Sequence, residues 1–467
     1  MPRHLAVSAA ALLTAACSSM APRHERPPLP VAAAYPQTAD ADRSGAAVAE
    51  LGWREVFTDA RLRALIEIAL QNNRDLRAAA ATVEQAGARA QAQAASLWPT
   101  LGAGLAASRQ ATASGHAVTT YSAGLQMPSY EVDFFGRLRS LTDAAQAQAL
   151  AAEEGRRTVH IALVAAVAAT HLALLADNEL LALTQRTLDT RVESLRLVRL
   201  RYDSGTASEL DLQQALSLVA SARATLAAGQ RQRALDDNAL VLLLGQPQPA
   251  ELPAPTTLAA WSAGTALPAG LPSALLERRP DIRAAEAQLV AAEASLGAAR
   301  AAFFPQVTLT ASAGTISSEL AGLFKSGSWG FSAAGQLLAT LFDAGRNRAN
   351  QQVAEAGIRI AAAQYDKAVQ SAFREVTDAL AGRATLGEQL DALKQQEKAD
   401  AERLRIAELR FANGVASSLD VLDAQRSLFA TQQQVLQAQL AQVQNQVALY
   451  KVLGGGWLSA SNQAARP

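Results

Sequence analysis

The second half of this chain repeats the first half in the same order. Short motifs recur at an offset of roughly 206 to 210 residues, which indicates that one long unit was duplicated. One chance match would not be surprising, but five matches in the same order are hard to explain by chance. The pairs are 73–77 with 279–283, 97–101 with 303–307, 135–137 with 344–346, 201–211 with 410–420, and 243–245 with 452–454.

One segment of each repeat shows the alternation of apolar and polar residues that is typical of β-strands. From Gln306 to Gly314, apolar residues at every second position alternate with polar or small ones. Each such run has about nine to thirteen residues, which is the length of a tilted strand crossing a bilayer. The other runs lie near 101–108, 121–127 and 329–337, with loops at 109–120 and 315–328, and the two hairpins are placed at 99–133 and 305–343.

Aromatic residues gather at the ends of these strands, as they do in the interfacial girdles of membrane proteins. A soluble domain of two hairpin sheets would show a similar alternation and is the alternative interpretation. The export signal at the N-terminus favours the membrane. The aromatic residues are Trp98, Phe303 and Phe304 at one end, and Tyr130, Phe134, Phe135 and Phe342 at the other.

The rest of each repeat is predicted to be helical. No proline interrupts 137–202 or 346–411, and a helix of about 66 residues would be about 100 Å long. After a glycine turn, a second helix follows at 208–244 and at 417–453, with apolar spacing typical of coiled coils. Shorter helices at about 59–96 and 273–302 precede the strands. Together these elements predict an antiparallel wall of helices.

The amino-acid composition supports the predicted packing of long helices and excludes several classes of function. Alanine makes up roughly 23% of the chain and aromatic residues 5%, which favours closely packed helices over an ordinary enzyme core. The 42 basic and 42 acidic residues balance, so no global field attracts nucleic acid. The five histidines show no metal-ligand spacing and there is no phosphate loop. We therefore expect no enzyme, no cofactor and no metal.

Four membrane strands per chain require oligomerisation. An eight-stranded barrel, from two chains, would be filled by its own side chains. Three chains give twelve strands, the smallest symmetric number with a useful lumen, and open strand edges are not tolerated in lipid. We therefore expect a homotrimer. The most apolar mature segment, Ile161–Ala169, is rich in alanine and flanked by His160 and His171, so a transmembrane helix is not expected.

The N-terminus has the pattern of a secretory signal, with basic residues followed by an apolar stretch. Residues 1–16 are predicted to be removed. The Leu-Thr-Ala-Ala-Cys sequence at 13–17 resembles the lipobox of bacterial lipoproteins, which implies lipidation of Cys17. An ordinary Ala-x-Ala cleavage site beside an incidental cysteine is the alternative. The remaining predicted segments are a tether at 17–50, a first repeat at 51–245, a Pro-rich connector at 246–272, a second repeat at 273–454 and a tail at 455–467.

Nearly all of the mature chain resembles the outer membrane factors of tripartite efflux pumps, in the lipoprotein branch associated with resistance-nodulation-division transporters. The resemblance is carried by Trp-Arg-Glu-Val-Phe-Thr-Asp at 53–59, Glu-Arg-Arg-Pro-Asp-Ile-Arg at 277–283, and two Gly-x-x-Ser-x-Leu-Asp turns beginning at Gly205 and Gly414. It implies a membrane α+β fold. In that fold, a trimeric twelve-stranded β-barrel is continuous with a long periplasmic helical barrel, which a mixed equatorial belt surrounds.

The same resemblance implies functional residues. Asp420 and Asp423 match an acidic pair at the periplasmic entrance of the family, and threefold symmetry would bring six carboxylates together. Such a ring would attract cations and raise the pKa values of its members. Capping of a helix start explains one of the two aspartates equally well. Asp211 is the matching residue of the first turn, where Gln214 stands in place of a second acidic residue. In one branch of the family, a Tyr and an Arg at the helix tips form hydrogen bonds that hold the channel closed. This chain has Phe411 and Ala416 at those positions.

The two turns are also candidates for contact with a periplasmic adaptor, although glycine turns between helices need no partner. The candidate contact residues are Gly205, Ser208 and Leu210 in the first turn, and Gly414, Ser417 and Leu419 in the second. The implied partners are the adaptor, an inner-membrane transporter and outer-membrane lipid, with no nucleic acid. The alternatives to small-molecule efflux are a channel for type I protein secretion and a coiled-coil structural protein of the envelope.

Overall fold

The computed structural model describes residues 20–32, 35, 52–111, 117–261 and 279–455. The predicted signal peptide, Cys17, much of the tether and connector, and all but the first residue of the tail lie outside these residues. The described helices are α1 (Trp53–Val56), α2 (Ala60–Asn72), α3 (Arg74–Ala95), α4 (Arg137–Asp203), α5 (Glu209–Leu244), α6 (Pro280–Ala301), α7 (Arg346–Ala412) and α8 (Ser418–Val452). The strands are β1 (Gly102–Ala111), β2 (Ala117–Val132), β3 (Gln306–Ser317) and β4 (Trp329–Leu338).

The chain divides into two compact units, and each takes residues from both sequence repeats. The first unit contains residues 1–29, 81–154 and 283–368. The second contains residues 30–80, 155–282 and 369–467. The four strands belong to the first unit, and the turns between the long and short helices belong to the second.

The four strands form one antiparallel sheet in the order β1-β2-β3-β4. Paired residues lie on the same face of a sheet, so the register sorts side chains into two faces. One face carries the row Gln126, Ser312 and Ser332, and the two serine hydroxyls are 2.8 Å apart. The opposite face carries the row Leu125, Ala313 and Phe331. This separation is the pattern of a barrel wall with one apolar and one polar side.

The apolar face is exposed in the single chain. Leu105 is 78% exposed, Trp329 68% and Phe331 75%. No other part of the chain that the structure describes covers these large apolar side chains, so they need contact with lipid or with another protein. The sequence predicts the aromatic residues at two opposite ends of the strands, and this prediction is wrong: the rings of Phe135 and Phe304 stack with centroids 4.7 Å apart. In an antiparallel hairpin the start of the first strand and the end of the second lie at the same end of the sheet, so the aromatic residues that precede β1 and β3 and those that follow β2 and β4 gather at one end.

The strands extend further into the predicted loops than alternation indicated. Ser108 still pairs with Thr120, and Arg109 with Thr119, within the stretch expected to be a loop. Backbone pairing does not require apolar side chains, so polar residues can continue the ladder beyond the alternating part. The β2–β3 register shifts between Met127 and Tyr130. This bulge contains Pro128, which cannot donate to a ladder and is tolerated at such a position.

Four glycines form one row across the sheet. Gly104 pairs with Gly124, Gly124 with Gly314, and Gly314 with Gly330. A Cβ atom added to Gly124 would lie 2.6 Å from the Cα atom of Gly314, and the reverse distance is also 2.6 Å. Strands β2 and β3 therefore approach so closely at this row that side chains are excluded from both positions.

The duplicated helices have nearly equal lengths. Helices α4 and α7 have 67 residues each, and α5 and α8 have 36 and 35. Gly136 and Gly345, which directly precede the two long helices, have φ values of 74° and 87°. Both positions use the left-handed backbone region that favours glycine.

The helix expected over about 59–96 is interrupted. Asn73 separates α2 from α3, and its side chain accepts a hydrogen bond from the Leu76 amide at 2.9 Å. The same side chain donates to the Leu243 carbonyl at 2.9 Å. Propensity alone did not indicate the break, because the second contact comes from the far end of the repeat.

The described part of the tether is packed rather than free. Its Met20 carbonyl accepts a hydrogen bond from Arg300 at 3.3 Å, and Arg26 contacts Glu286 of α6 at 2.8 Å. His24 lies 2.9 Å from Glu293, also on α6. This segment is therefore held along α6 by hydrogen bonds and by one ion pair.

Tight packing in the second unit centres on large side chains near α1 and α2. Trp53 and Phe57 are each 1% exposed, and the Phe57 ring meets Tyr450 edge-on at 5.2 Å. Arg279 is 7% exposed and contacts Asp281 at 2.5 Å, Glu375 at 2.8 Å and the Val452 carbonyl at 3.1 Å. Burial of this arginine is compensated by three acceptors from three parts of the unit.

Among the described residues, one helix is long and apolar enough to cross a membrane. It is α4, in which an 18-residue window has a mean hydropathy of 2.1. This window is longer than the segment Ile161–Ala169, which the sequence analysis gives as the most apolar one. However, 56% of the window is buried within the chain itself, as in the core helix of a soluble domain. We assign the membrane-crossing role to the strands.

Candidate functional site

Two turns with the same backbone conformation reverse the chain between the long and short helices. Gly205 follows α4 with a φ of 74°, and Gly414 follows α7 with a φ of 73°. After Gly205, the Thr206 amide donates to the Arg201 carbonyl at 2.8 Å; after Gly414, the Val415 amide donates to the Arg410 carbonyl at 2.9 Å. Left-handed glycines that end helices with such bonds are common C-terminal caps.

Each turn is followed by a capping box. The Ser208 hydroxyl accepts from the Asp211 amide at 3.2 Å, and the Asp211 carboxylate accepts from the Ser208 amide at 3.1 Å. Asp420 accepts from the Ser417 amide at 3.0 Å in the second turn. These reciprocal bonds satisfy amides at the helix start and place a negative charge at the positive end of the helix dipole. The serine and aspartate of each motif therefore have a structural role.

Contacts between the two turns tie the repeats together. The Ser418 hydroxyl, at the start of α8, donates to the Asp211 carboxylate at 2.5 Å. This bond, with the one from Ser208, holds the pKa of Asp211 below its usual value. The Arg201 guanidinium lies 4.8 Å from the centroid of the Phe411 ring, within the range of a cation–π contact. Phe411 thus contributes a packed ring to the contact between the two turns.

Asp423 has surroundings very different from those of Asp420. It accepts hydrogen bonds from Arg403 and from Arg426, each at 2.5 Å. The bond from Arg403 lowers the pKa of this carboxyl group, and the neighbouring positive charge of Arg426 acts in the same direction. A ring of like charges was expected to raise the pKa. Within one chain the observed contacts act in the opposite direction, while the ring itself concerns three chains and stays a prediction.

Exposed apolar side chains lie at both turns. Leu210 is 65% exposed and Leu419 49%, and Val415 beside them is 68% exposed. Exposed leucines on a helix tip are suited to contact with an apolar partner. A Cβ atom added to Gly205 or to Gly414 would meet no atom of the described chain within 4 Å, so the role of these glycines within one chain follows from the backbone and not from crowding.

Sequence reasoning located the turns and missed most of their partners. Arg201, Arg403, Arg426 and Ser418 were not singled out, although three of them carry the strongest charge contacts at the turns. Ser418 and Arg201 contact residues more than 200 positions away, and Arg403 contacts Asp423 from the preceding helix, so spacing within one motif gave no signal for these three. Arg426 lies three residues from Asp423 on α8, a spacing that is visible in the sequence. Over the described residues, no group of three histidine, cysteine or acidic side chains could hold a metal ion.

Solved structures identify the class of protein. The open state of the Neisseria gonorrhoeae MtrE outer membrane channel is 39% identical, with a TM-score of 0.86 over 94% of this chain and 98% of that one. The predicted fold class is thereby confirmed: such channels are trimers, and each chain contributes a four-stranded sheet and long helices to the barrels.

The chain belongs to the outer membrane efflux protein family, whose pattern it matches over residues 65–246 and 271–455. It is 44% identical over 465 residues to the solvent efflux pump outer membrane protein SrpC of Pseudomonas putida, covering 97% of this chain and 98% of that protein. It is 43% identical over 458 residues to the outer membrane protein OprJ of Pseudomonas aeruginosa, covering 95% and 94%. The predicted role as an outer-membrane channel in efflux is confirmed.

Proposed function

We propose that this channel is the exit duct of a tripartite pump. In this proposal, a resistance-nodulation-division transporter of the inner membrane supplies the cargo, and a periplasmic adaptor joins the two. The observation that carries the proposal is the pair of matching turns, each presenting an exposed leucine next to a rigid capping box. Two similar apolar tips per chain would give a trimer six contact points for adaptor subunits.

Crosslinking tests the adaptor contact. Cysteine replaces Leu210 or Leu419, and a short bifunctional reagent is applied to cells that carry the complete pump. We expect a crosslink to the adaptor from both positions. Leu235→Cys is the matched control, because this leucine is 53% exposed but lies on α5 about 39 Å from its start. Failure of both turn variants to crosslink in cells that still export would refute docking at the turns.

We also propose that the cargo consists of small, largely apolar molecules. Relatives include pumps named for solvents and for toluene in Pseudomonas putida. Deleting the gene should lower resistance to such compounds, and complementation should restore it. If the deletion instead abolished secretion of a protein and left resistance unchanged, type I secretion would replace efflux as the function. The sheet and the family membership already oppose a purely structural envelope protein.

Lipid anchoring at Cys17 belongs to the same proposal. The lipobox-like sequence supports it, and Met20, three residues after this cysteine, is bound to Arg300 of α6. Labelling with a palmitate analogue should mark the wild-type protein and leave Cys17→Ser unlabelled. Equal labelling of both proteins would exclude this cysteine as the anchor, and membrane fractionation would show whether the strands alone retain the chain.

The entrance ring is the last part of the proposal. Two arginines pair with Asp423 within one chain, so the uncompensated charge of a threefold ring would come mainly from Asp420. Replacing Asp420 and Asp423 together with alanine should weaken cation selectivity in planar bilayers. The single variants should divide the effect: Asp420→Ala should account for most of the lost selectivity. Unchanged selectivity in the double variant would reject the ring.

A further inference from the structure

A cavity of about 230 Å³ lies within the second unit, away from the two turns. Its walls come from three helices, α4, α7 and α8, which belong to both repeats. The side chains at its rim include Arg186 and Thr190, which are exposed. Deeper in the cavity, charged, polar and apolar side chains meet: Arg191, Leu404, Gln425 and Phe429.

Arg191 is the unusual member of this lining. It is only 3% exposed, yet no carboxylate pairs with it among the residues that the structure describes. One terminal nitrogen donates to the Leu218 carbonyl at 3.0 Å, and the guanidinium carbon lies 5.0 Å from the centroid of the Phe429 ring. Its Nε atom is buried without a hydrogen-bond partner in the described chain. Buried arginines are normally paired, because an isolated charge loses hydration without compensation.

A second polar group of the lining is also unsatisfied. Gln425 is 8% exposed, and its side-chain oxygen has no partner among the described residues. A glutamine amide carries both an acceptor oxygen and a donor nitrogen, and rotation of the amide presents the nitrogen in place of the oxygen. Arg191 and Gln425 together can therefore offer N–H donors to one anion. Leu404, Leu428 and Phe429 supply apolar walls beside them.

We propose that this cavity is a binding site for a small organic carboxylate with an apolar body. The carboxylate would accept hydrogen bonds from Arg191 and Gln425, and its body would contact Leu404, Leu428 and Phe429. A cavity of about 150 Å³ is enough for one benzene ring, so a ring-sized acid fits the volume. The site goes beyond the channel function, because it lies in the helical wall rather than at the turns. An anion bound there would link α4 to α7 and α8.

Benzoate is the probe, and benzamide is its neutral counterpart of equal size. Purified trimers in detergent are titrated with each compound by calorimetry, and the thermal stability of the trimer is measured in parallel. We expect benzoate to bind and to raise the melting temperature, while benzamide does neither. Arg191→Met should weaken benzoate binding at least about tenfold, the loss expected for a charge-assisted hydrogen bond. The exposed Arg199→Gln on the same helix is the matched control and should bind normally.

A second variant keeps the test decisive if Arg191→Met fails to form trimers. Leu404→Trp fills the cavity and leaves the guanidinium in place, so it should also abolish benzoate binding. The proposal is overturned if benzoate does not bind the wild-type trimer or if benzamide binds equally well. It is also overturned if the cavity-filling variant retains the wild-type affinity.

Discussion

The glycine row in the sheet allows a prediction whose sign depends on position. An alanine at Gly124 would place its Cβ atom 2.6 Å from the Cα atom of Gly314 and still closer to the Ala313 carbonyl oxygen. Both obstacles are backbone atoms, which cannot rotate away. At Gly330, in the same row, no described atom of the same chain lies within 4 Å of the added atom. The same substitution should therefore have opposite effects at the two positions.

The magnitudes follow from these contacts. Overpacking costs about 1–3 kcal/mol, and we expect the upper half of this range for Gly124→Ala because strands β2 and β3 must separate. Gly330→Ala should instead stabilise by about 0.4–1 kcal/mol, since alanine restricts the unfolded chain and meets no obstacle. Each trimer carries the substitution three times, which enlarges the difference. Gly314→Ala tests the same contact from the opposite strand.

The assay is dissociation of folded trimers on heating, followed by electrophoresis without boiling. We expect the midpoint temperature to fall for Gly124→Ala and for Gly314→Ala, and to stay equal or rise for Gly330→Ala. Insertion into the outer membrane is measured as well, because a strained sheet should also assemble less efficiently. Equal midpoints for Gly124→Ala and Gly330→Ala would refute the inferred close approach of β2 and β3.

Three further predictions concern the helical part. Arg279→Met should destabilise the trimer by about 3 kcal/mol through loss of a buried charge pairing, while Arg374→Met, which removes an exposed pair, should change stability by about 0.5 kcal/mol or less; thermal dissociation measures both. Because pairing lowers the pKa of Asp423 below 3.8, the folded state gains stability above that pH and loses it only as the pH falls through the lowered value. Thermal dissociation of the trimer should thus show no loss of this contribution between pH 7 and pH 5. Ser418→Ala removes the bond to Asp211 and should increase channel conductance, and an unchanged conductance would show that this bond does not restrict the turns.

Alternation located the sheet correctly, because a strand in a membrane barrel has one apolar and one polar side. The strand limits were less accurate. β2 reaches Val132 through a bulge at Pro128, and a proline read in isolation indicates an end rather than a continuation. The row of four glycines was also visible in the sequence, yet its meaning depends on register, which aligns Gly124 with Gly314 only after the strands have paired.

The helices illustrate the same difference between local and tertiary information. Absence of proline predicted α4 and α7 to within one residue at their ends. The break at Asn73 was missed because its cause is a contact with Leu243, a residue 170 positions away. In the sequence, Arg279 is recognisable only as part of the motif at 277–283 that carries the family resemblance. The structure gives its physical role, which is to supply one guanidinium to acceptors from three segments.

Comparison of the two repeats explains why the turns look alike but are not equivalent. The offset of 209 residues aligns Asp211 with Asp420 and Ser418 with Glu209. A serine hydroxyl can donate to the carboxylate of the other turn, whereas a glutamate in its place would repel it. The bond between the turns therefore exists in one direction only.

The two arginines that pair with Asp423 are likewise present in one repeat only. The residues aligned with Asp423, Arg403 and Arg426 in the first repeat are Gln214, Ser194 and Ser217, all of them uncharged. The three charges are thus present together in one repeat and absent together from the other. A lone aspartate at 214, or a lone arginine at 194, would leave a charge without its partner. We infer that the duplicated turns diverged as sets of contacting residues: the first repeat supplies the acceptor Asp211, and the second supplies the charged cluster and the donor Ser418.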